Sequence, residues 1–223
     1  ISFTERSFGF ETAVEESQAA IDCAHMEAKG ARNGVGLVKL MGRESGFVAA
    51  CAALASSNVN LVLIPEAPFS AGKLMAFLEE RLKRKAHAVV VVAEGAGQEL
   101  VPVEGRDESG NRKLGDIGAF LKKAISEHFQ KAGMAVSVKY MDPSYLIRSG
   151  PATADDSVFC FQLAEYAVHA AMSGRTAMVT GLWNGQFVHV PADLAVATRK
   201  KVDVNGLLWQ SVLDNTGQPR SLS

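Results

Sequence analysis

The chain has 223 residues, 48% hydrophobic and 21% charged, with a formal net charge of -1. That is ordinary globular composition, long enough for a packed core in one domain or two. The near-neutral balance, with no basic face interleaved with aromatics, argues against a nucleic-acid partner, and no apolar run reaches membrane-spanning length. In chain order, residues 1–6 read as a loop and 8–28 as a helix, stopped by Gly30 and Asn33-Gly34. Strand and helix patterns then alternate: strand 35–40, helix 47–56, strand 61–64, helix 71–85 and strand 88–93. The continuous valines of the last strand suit a parallel sheet buried on both faces, and the βαβαβ series predicts a layered α/β fold.

The stretch 95–115 is long, polar and Gly-rich, and 104–111 is the expected mobile insert. A helix over 116–131 and a strand over 136–140 follow. Pro143 and Pro151 then bracket a segment expected to be irregular, which holds Tyr145 and Arg148. A long helix is expected over 155–172, with Asp155-Asp156 reading as its solvated start rather than a metal site. Asn184-Gly185 between two short apolar runs predicts a hairpin. Two short helical stretches close the chain. The basic run from Arg81 to His87 reads as a solvated helix end. Cys23, Cys51 and Cys160 lie in apolar helical contexts and form no metal pattern, so buried thiols in a reducing compartment are expected. The histidines show no metal spacing and are given no catalytic role.

The organising stretch is Lys39-Leu40-Met41-Gly42-Arg43-Glu44-Ser45-Gly46-Phe47, a Gly-containing turn between a strand and an apolar helix. Ligands of open α/β sheets bind at such carboxyl ends. Gly42 and Gly46 permit close backbone approach and unusual φ. Free N–H groups at the helix start favour an anion, and Arg43 adds a planar fork for phosphate or carboxylate. On physics alone this is a candidate phosphate site; an ordinary turn with a solvated Arg fits about as well.

With Val35-Gly36-Leu37-Val38 before it, this stretch resembles the fructose 6-phosphate-binding segment of the phosphofructokinase family, above all the ATP-dependent enzymes of plants, algae and kinetoplastid protists. Similar segments recur in the family's order: Ser7-Phe8-Gly9-Phe10-Glu11-Thr12-Ala13, Ile64-Pro65-Glu66, Ala93-Glu94-Gly95-Ala96-Gly97-Gln98, Asp142-Pro143-Ser144-Tyr145-Leu146-Ile147-Arg148, and the tail from Leu208-Trp209 to Gln218-Pro219. The resemblance implies a Rossmann-like, layered parallel-sheet phosphofructokinase fold, with residues 1–223 as its C-terminal portion. It implies backbone contacts to the sugar from Met41 and Gly42, and a charged contact from Arg43 that offsets charge developing in phosphoryl transfer. Glu94 matches the family's sugar-binding carboxylate. Tyr145 and Arg148 match donors to the 6-phosphate. Lys139 stands where bacterial members carry an Arg that crosses from a neighbouring subunit, and Gly34 replaces a second crossing Arg.

The family's acidic catalytic motif ends just before the segment similar to Ile1-Ser2-Phe3, and its Gly-rich donor loop comes earlier still. The expectation is therefore a chain equivalent to the C-terminal half, with ATP and Mg2+ bound mainly by the other half and little turnover alone. A homo-oligomer, dimer or tetramer, and a cytoplasmic or plastid location are implied as well. Two rival readings are a pyrophosphate-dependent phosphotransferase on the same fold and a non-catalytic sugar-phosphate-binding or regulatory subunit.

Overall fold

A computed structural model describes every residue except 107 and 109, so those two positions of the expected insert lie outside the described residues. The chain is mixed α/β and divides into two compact units: Val14–Arg148 with Lys201–Ser223, and Ile1–Ala13 with Ser149–Lys200.

The larger unit is built on a four-stranded sheet in the order β2-β3-β1-β4, formed by β1 (Gly34–Leu40), β2 (Leu61–Leu63), β3 (His87–Ala93) and β4 (Ser137–Met141). All pairings are parallel, as the valine run of β3 predicts. One face is covered by α3 (Ala71–Lys85) and α4 (Ile117–Lys131). Val35, Leu37, Leu61, Leu63, Val90 and Val92 pack there with Leu74, Leu78, Leu82, Leu121, Ile125 and Phe129. Each such leucine removed from water contributes roughly 1.5–3 kcal/mol. Ser70 caps α3 and Asp116 caps α4 by accepting backbone N–H groups one turn on.

The opposite face takes α1 (Phe10–Gly30), α2 (Phe47–Ala55) and α8 (Leu207–Thr216). Helix α1 approaches β1 so closely that a Cβ on Gly34 would lie 2.1 Å from Ala28 O, and one on Gly36 2.5 Å from Ala24 O. This explains Gly34 locally: the position has no room for a side chain, still less for a crossing cation. The exposed edge of β2 is covered by Gln218, whose amide accepts from Val62 N–H (2.7 Å) and donates to Val62 O (3.2 Å), completing the ladder that a further strand would supply.

The smaller unit holds α6 (Ala154–Met172), the antiparallel hairpin β5 (Met178–Trp183) and β6 (Gln186–Pro191), and α7 (Ala192–Val196). Asn184 and Gly185 both have positive φ, 50° and 71°, as a tight hairpin turn requires. Glu5 receives the N–H groups of both.

Three expectations change. The segment after Pro143 is a short helix, α5 (Ser144–Ser149), because Asp142 accepts both the hydroxyl and the N–H of Ser144 and caps it. Cys23 and Cys160 are exposed and Cys51 half-buried; apolar neighbours in sequence did not place these thiols on inward faces. Asp156 is fully buried rather than solvated, since Thr12 lies over it and donates to one oxygen from both N–H (2.8 Å) and hydroxyl (2.7 Å). Among the described residues no helix is long and apolar enough to cross a membrane.

Candidate functional site

The carboxyl ends of β1, β3 and β4 lie side by side because these strands are neighbours in a parallel sheet. They deliver Met41-Gly42-Arg43, Glu94, and the Asp142 to Arg148 segment to one edge. The first two are joined through the backbone: Glu94 N–H donates to Leu40 O (2.9 Å) and Gly95 N–H to Gly42 O (3.0 Å). Gly42 has φ +148°, a conformation that β-carbons resist, and its N–H points at the Glu94 carboxylate (3.5 Å). Gly95 lies so close to this turn that a Cβ there would sit 1.9 Å from Arg43 O.

The third segment is joined by Arg148, whose Nε donates to the Met41 sulfur at 3.1 Å. Tyr145, three residues earlier on the same short helix, is 83% exposed and so open to a ligand. The Arg43 guanidinium donates to Arg112 O (2.6 Å), in a loop closed by the Arg106–Arg112 bridge. Gln98 holds the base of that loop: it donates to Glu94 O and Gly115 O and accepts from Gly115 N–H. The structure therefore brings together Met41, Gly42, Arg43, Glu94 and Arg148, with Tyr145 on the helix that carries Arg148.

Lys139 is not among them. It pairs with Gly36, in the amino half of β1, and its ammonium reaches Glu27 of α1 at 3.6 Å. The expected anion site at the start of α2 also changes. Gly46 N–H is taken by both oxygens of Glu66 (3.1 and 3.0 Å), and Glu66 also accepts from Val202 N–H. An internal carboxylate thus supplies the negative charge that this helix terminus favours. Gly46 itself has an ordinary φ of -93°; glycine is needed because a Cβ would lie 2.2 Å from Ile64.

Sequence reading missed a polar network behind the turn. The Lys39 ammonium lies 2.9 Å from Asp142 and 3.2 Å from Asp116, and the Tyr140 hydroxyl donates to the same Asp116 oxygen (2.9 Å). Burial works against the charge on Lys39, but hydrogen bonding to Asp142, Tyr140 and Asp116 holds its pKa above the ordinary lysine value. Tyr140 is pushed up to about 12, first by burial. Asp116 and Asp142 are held below their ordinary values: burial opposes this, but donors including Lys39, with Tyr140 on Asp116 and Ser144 on Asp142, outweigh it. The available signal was a lysine two residues before Met41 and an aspartate directly after β4.

Chemically, the edge offers two guanidinium forks, a phenol, a carboxylate acceptor and a backbone turn held by glycine. That combination suits a polyhydroxylated anion: donors for phosphate, an acceptor for hydroxyls. The family model described as phosphofructokinase matches residues 1–171. An ATP-dependent 6-phosphofructokinase of the bacterium Borreliella burgdorferi is 48% identical over 99% of this chain and 52% of its own length. ATP-dependent 6-phosphofructokinase 7 of Arabidopsis thaliana is 46% identical over 100% of this chain and 47% of its own. Bacterial and plant relatives are therefore about equally similar. Among solved structures, a pyrophosphate-dependent phosphofructokinase from Marinobacter aquaeolei superposes with a TM-score of 0.67, covering 94% of this chain and 53% of that one; at 17% identity it shares the fold alone. The chain spans about half the length of the curated relatives it matches.

Proposed function

The chain belongs to the phosphofructokinase family, and from that premise we propose that it supplies the sugar-phosphate half of an enzyme that transfers the ATP γ-phosphoryl group to the 1-hydroxyl of fructose 6-phosphate. The observation that carries this reading is the convergence, at one sheet edge, of the Gly42 turn, the Glu94 carboxylate and the Arg148 guanidinium. In this assignment Arg148 and Tyr145 receive the 6-phosphate. Glu94 accepts hydrogen bonds from hydroxyls of the sugar, and Met41 and Gly42 present backbone to it. Arg43 faces the reacting end. An arginine carries five N–H donors, so the fork already anchored on Arg112 O can be pre-positioned and still stabilise charge that develops in transfer.

The relatives' names imply ATP, and Mg2+ accompanies it by family resemblance. Among the described residues no group of three or more His, Cys, Asp or Glu side chains is placed to hold a metal ion. The carboxylates nearest the turn are engaged: Glu94 by Gly42 N–H, Asp116 and Asp142 by Lys39. By the family resemblance, ATP and Mg2+ are assigned to the part of the relatives that this chain does not span. The steps carried here are binding, orientation and charge stabilisation.

Lys139 is proposed to serve a neighbouring subunit in a homo-oligomer, dimer or tetramer; its distance from this chain's own turn supports that reading. A cytoplasmic or plastid setting is part of the same proposal; two of the Arabidopsis thaliana relatives are named chloroplastic.

Calorimetric titration tests the assignment. Arg148→Ala and Glu94→Gln each remove a hydrogen bond to a charged group, worth roughly 1.5–3 kcal/mol, so each should weaken fructose 6-phosphate binding about tenfold or more. Arg148→Ala should also narrow the preference for fructose 6-phosphate over unphosphorylated fructose, since Tyr145 alone then receives the phosphate. Unchanged affinity in both variants would refute it.

A further inference from the structure

We infer that Lys39 is a positioning residue for the phosphate-binding segment: its ammonium fixes helix α5, and with it Tyr145 and Arg148, against the Met41-Gly42-Arg43 turn. The inference rests on the sugar-phosphate reading above and adds a residue that this reading does not use.

The register of the sheet makes the case. Strands β1 and β4 pair from Gly34↔Ser137 to Val38↔Met141, and there the ladder stops. The next residues in register are Lys39 and Asp142. Their side chains meet at 2.9 Å, so an ion pair continues the strand pairing one step past the last backbone pair. Asp142 uses its other oxygen to accept from the Ser144 hydroxyl (2.5 Å) and N–H (3.2 Å), which starts α5. One carboxylate thus ties Lys39 to the first residue of the helix that carries Tyr145 and Arg148.

The same ammonium reaches Asp116 (3.2 Å), the cap of α4, and lies 5.9 Å from the Tyr140 ring centroid. Tyr140 is held in turn by Asp116 (2.9 Å), and its ring fills the space a Cβ on Gly118 would need, with ring carbons at 2.3 and 2.5 Å. Lys39 is therefore clamped by two carboxylates and an aromatic face, its side chain only 13% exposed. It is not free to grip a ligand. It acts through the segments it holds, joining the ends of β1 and β4 and the start of α4. A half-buried cation with two partners defines one geometry, whereas a solvated pair would leave the α5 segment a range of positions.

The test uses Lys39→Met, which keeps length and loses charge, Lys39→Arg, which keeps charge, and Asp142→Asn, which cuts the link to α5 alone. Amide exchange is followed across the chain, and fructose 6-phosphate is titrated calorimetrically. In Lys39→Met and Asp142→Asn, amides of α5 should exchange about tenfold faster while those of β1 and β3 keep their rates, since local opening is independent of the core. Affinity for fructose 6-phosphate should fall in parallel, and Lys39→Arg should restore both. Equal acceleration throughout the sheet, or unchanged α5 exchange, would overturn the inference and leave Lys39 an ordinary stabilising ion pair. Should Lys39→Met not fold, Asp142→Asn and Lys39→Arg decide the same question. Absence of fructose 6-phosphate binding by the unmodified chain would count against the functional reading, while the exchange rates still decide the role of Lys39.

Discussion

Gly95→Ala is expected to remove fructose 6-phosphate binding while leaving the sheet folded. The added Cβ would lie 1.9 Å from Arg43 O, 2.6 Å from Arg43 C and 2.9 Å from Gly42 O. All three are backbone atoms, so no side-chain rotation relieves the contact. The chain must separate the β1 turn from the start of the loop after β3, which breaks the Gly95 N–H to Gly42 O bond and pulls Glu94 away from the Gly42 N–H. Overpacking of this kind costs about 1–3 kcal/mol of stability. The larger effect is on function: Met41, Gly42, Arg43 and Glu94 move together, and a displacement on the order of 1 Å can cost a hundredfold in a positioned site. Calorimetry should show no measurable heat with fructose 6-phosphate, while thermal unfolding remains cooperative. Binding within threefold of the parent would mean that the turn is not the sugar site.

The largest stability effect is expected at Asp156. Its carboxylate has no exposure. One oxygen receives Thr12 twice; the other faces Arg6 at 3.6 Å, whose guanidinium also lies over the Phe159 ring at 4.5 Å. Asp156→Ala leaves the buried Thr12 donors without their carboxylate and takes from Arg6 one of its two carboxylate neighbours, Asp155 at 2.5 Å being the other, at a cost of about 3 kcal/mol. The same group sets an acid limit. Burial alone would raise its pKa, but Thr12, the Gly9 N–H and Arg6 hold it below the ordinary 3.8. A carboxylate lowered on folding contributes stability that is present above 3.8 and is lost as pH falls through the folded value. Amide exchange of β5 and β6 should show the smaller unit opening more easily in Asp156→Ala at neutral pH. The gap from the parent should close as pH falls below 3.8. A constant gap across that range would show that the Asp156 charge does not contribute.

Much of the larger unit was readable before any coordinates. The uninterrupted Val89 to Val92 run suits a strand covered on both sides, and the Leu74, Leu78, Leu82 stripe an amphipathic helix. Since parallel strands end at one edge, placing Gly42 and Glu94 after two of them already placed them together. Depth was less legible. Asp155 and Asp156 are identical in a sequence pattern, yet one is exposed and the other sealed under Thr12, a residue more than a hundred positions away in the chain. Cys160 stands in an apolar run beside Phe161, which is itself 73% exposed, because helix α6 is apolar around much of its circumference and the pattern does not say which side is covered. Glu66 at the start of α2 and the Lys39 clamp were invisible for the same reason. Each joins groups far apart in the chain: Glu66 takes the backbone N–H groups of Gly46 and Val202, and Lys39 reaches the carboxylates after β4 and at the cap of α4.

The central claim is that a sugar phosphate binds where β1, β3 and β4 end. The measurement that addresses it most directly is backbone amide shift mapping of this chain during titration with fructose 6-phosphate, then with fructose. The account predicts shifts concentrated at Met41, Gly42, Glu94, Tyr145 and Arg148, with those at Tyr145 and Arg148 lost when the phosphate is absent. Shifts centred instead on Gly46 and the start of α2, or scattered without a cluster at this edge, would contradict it.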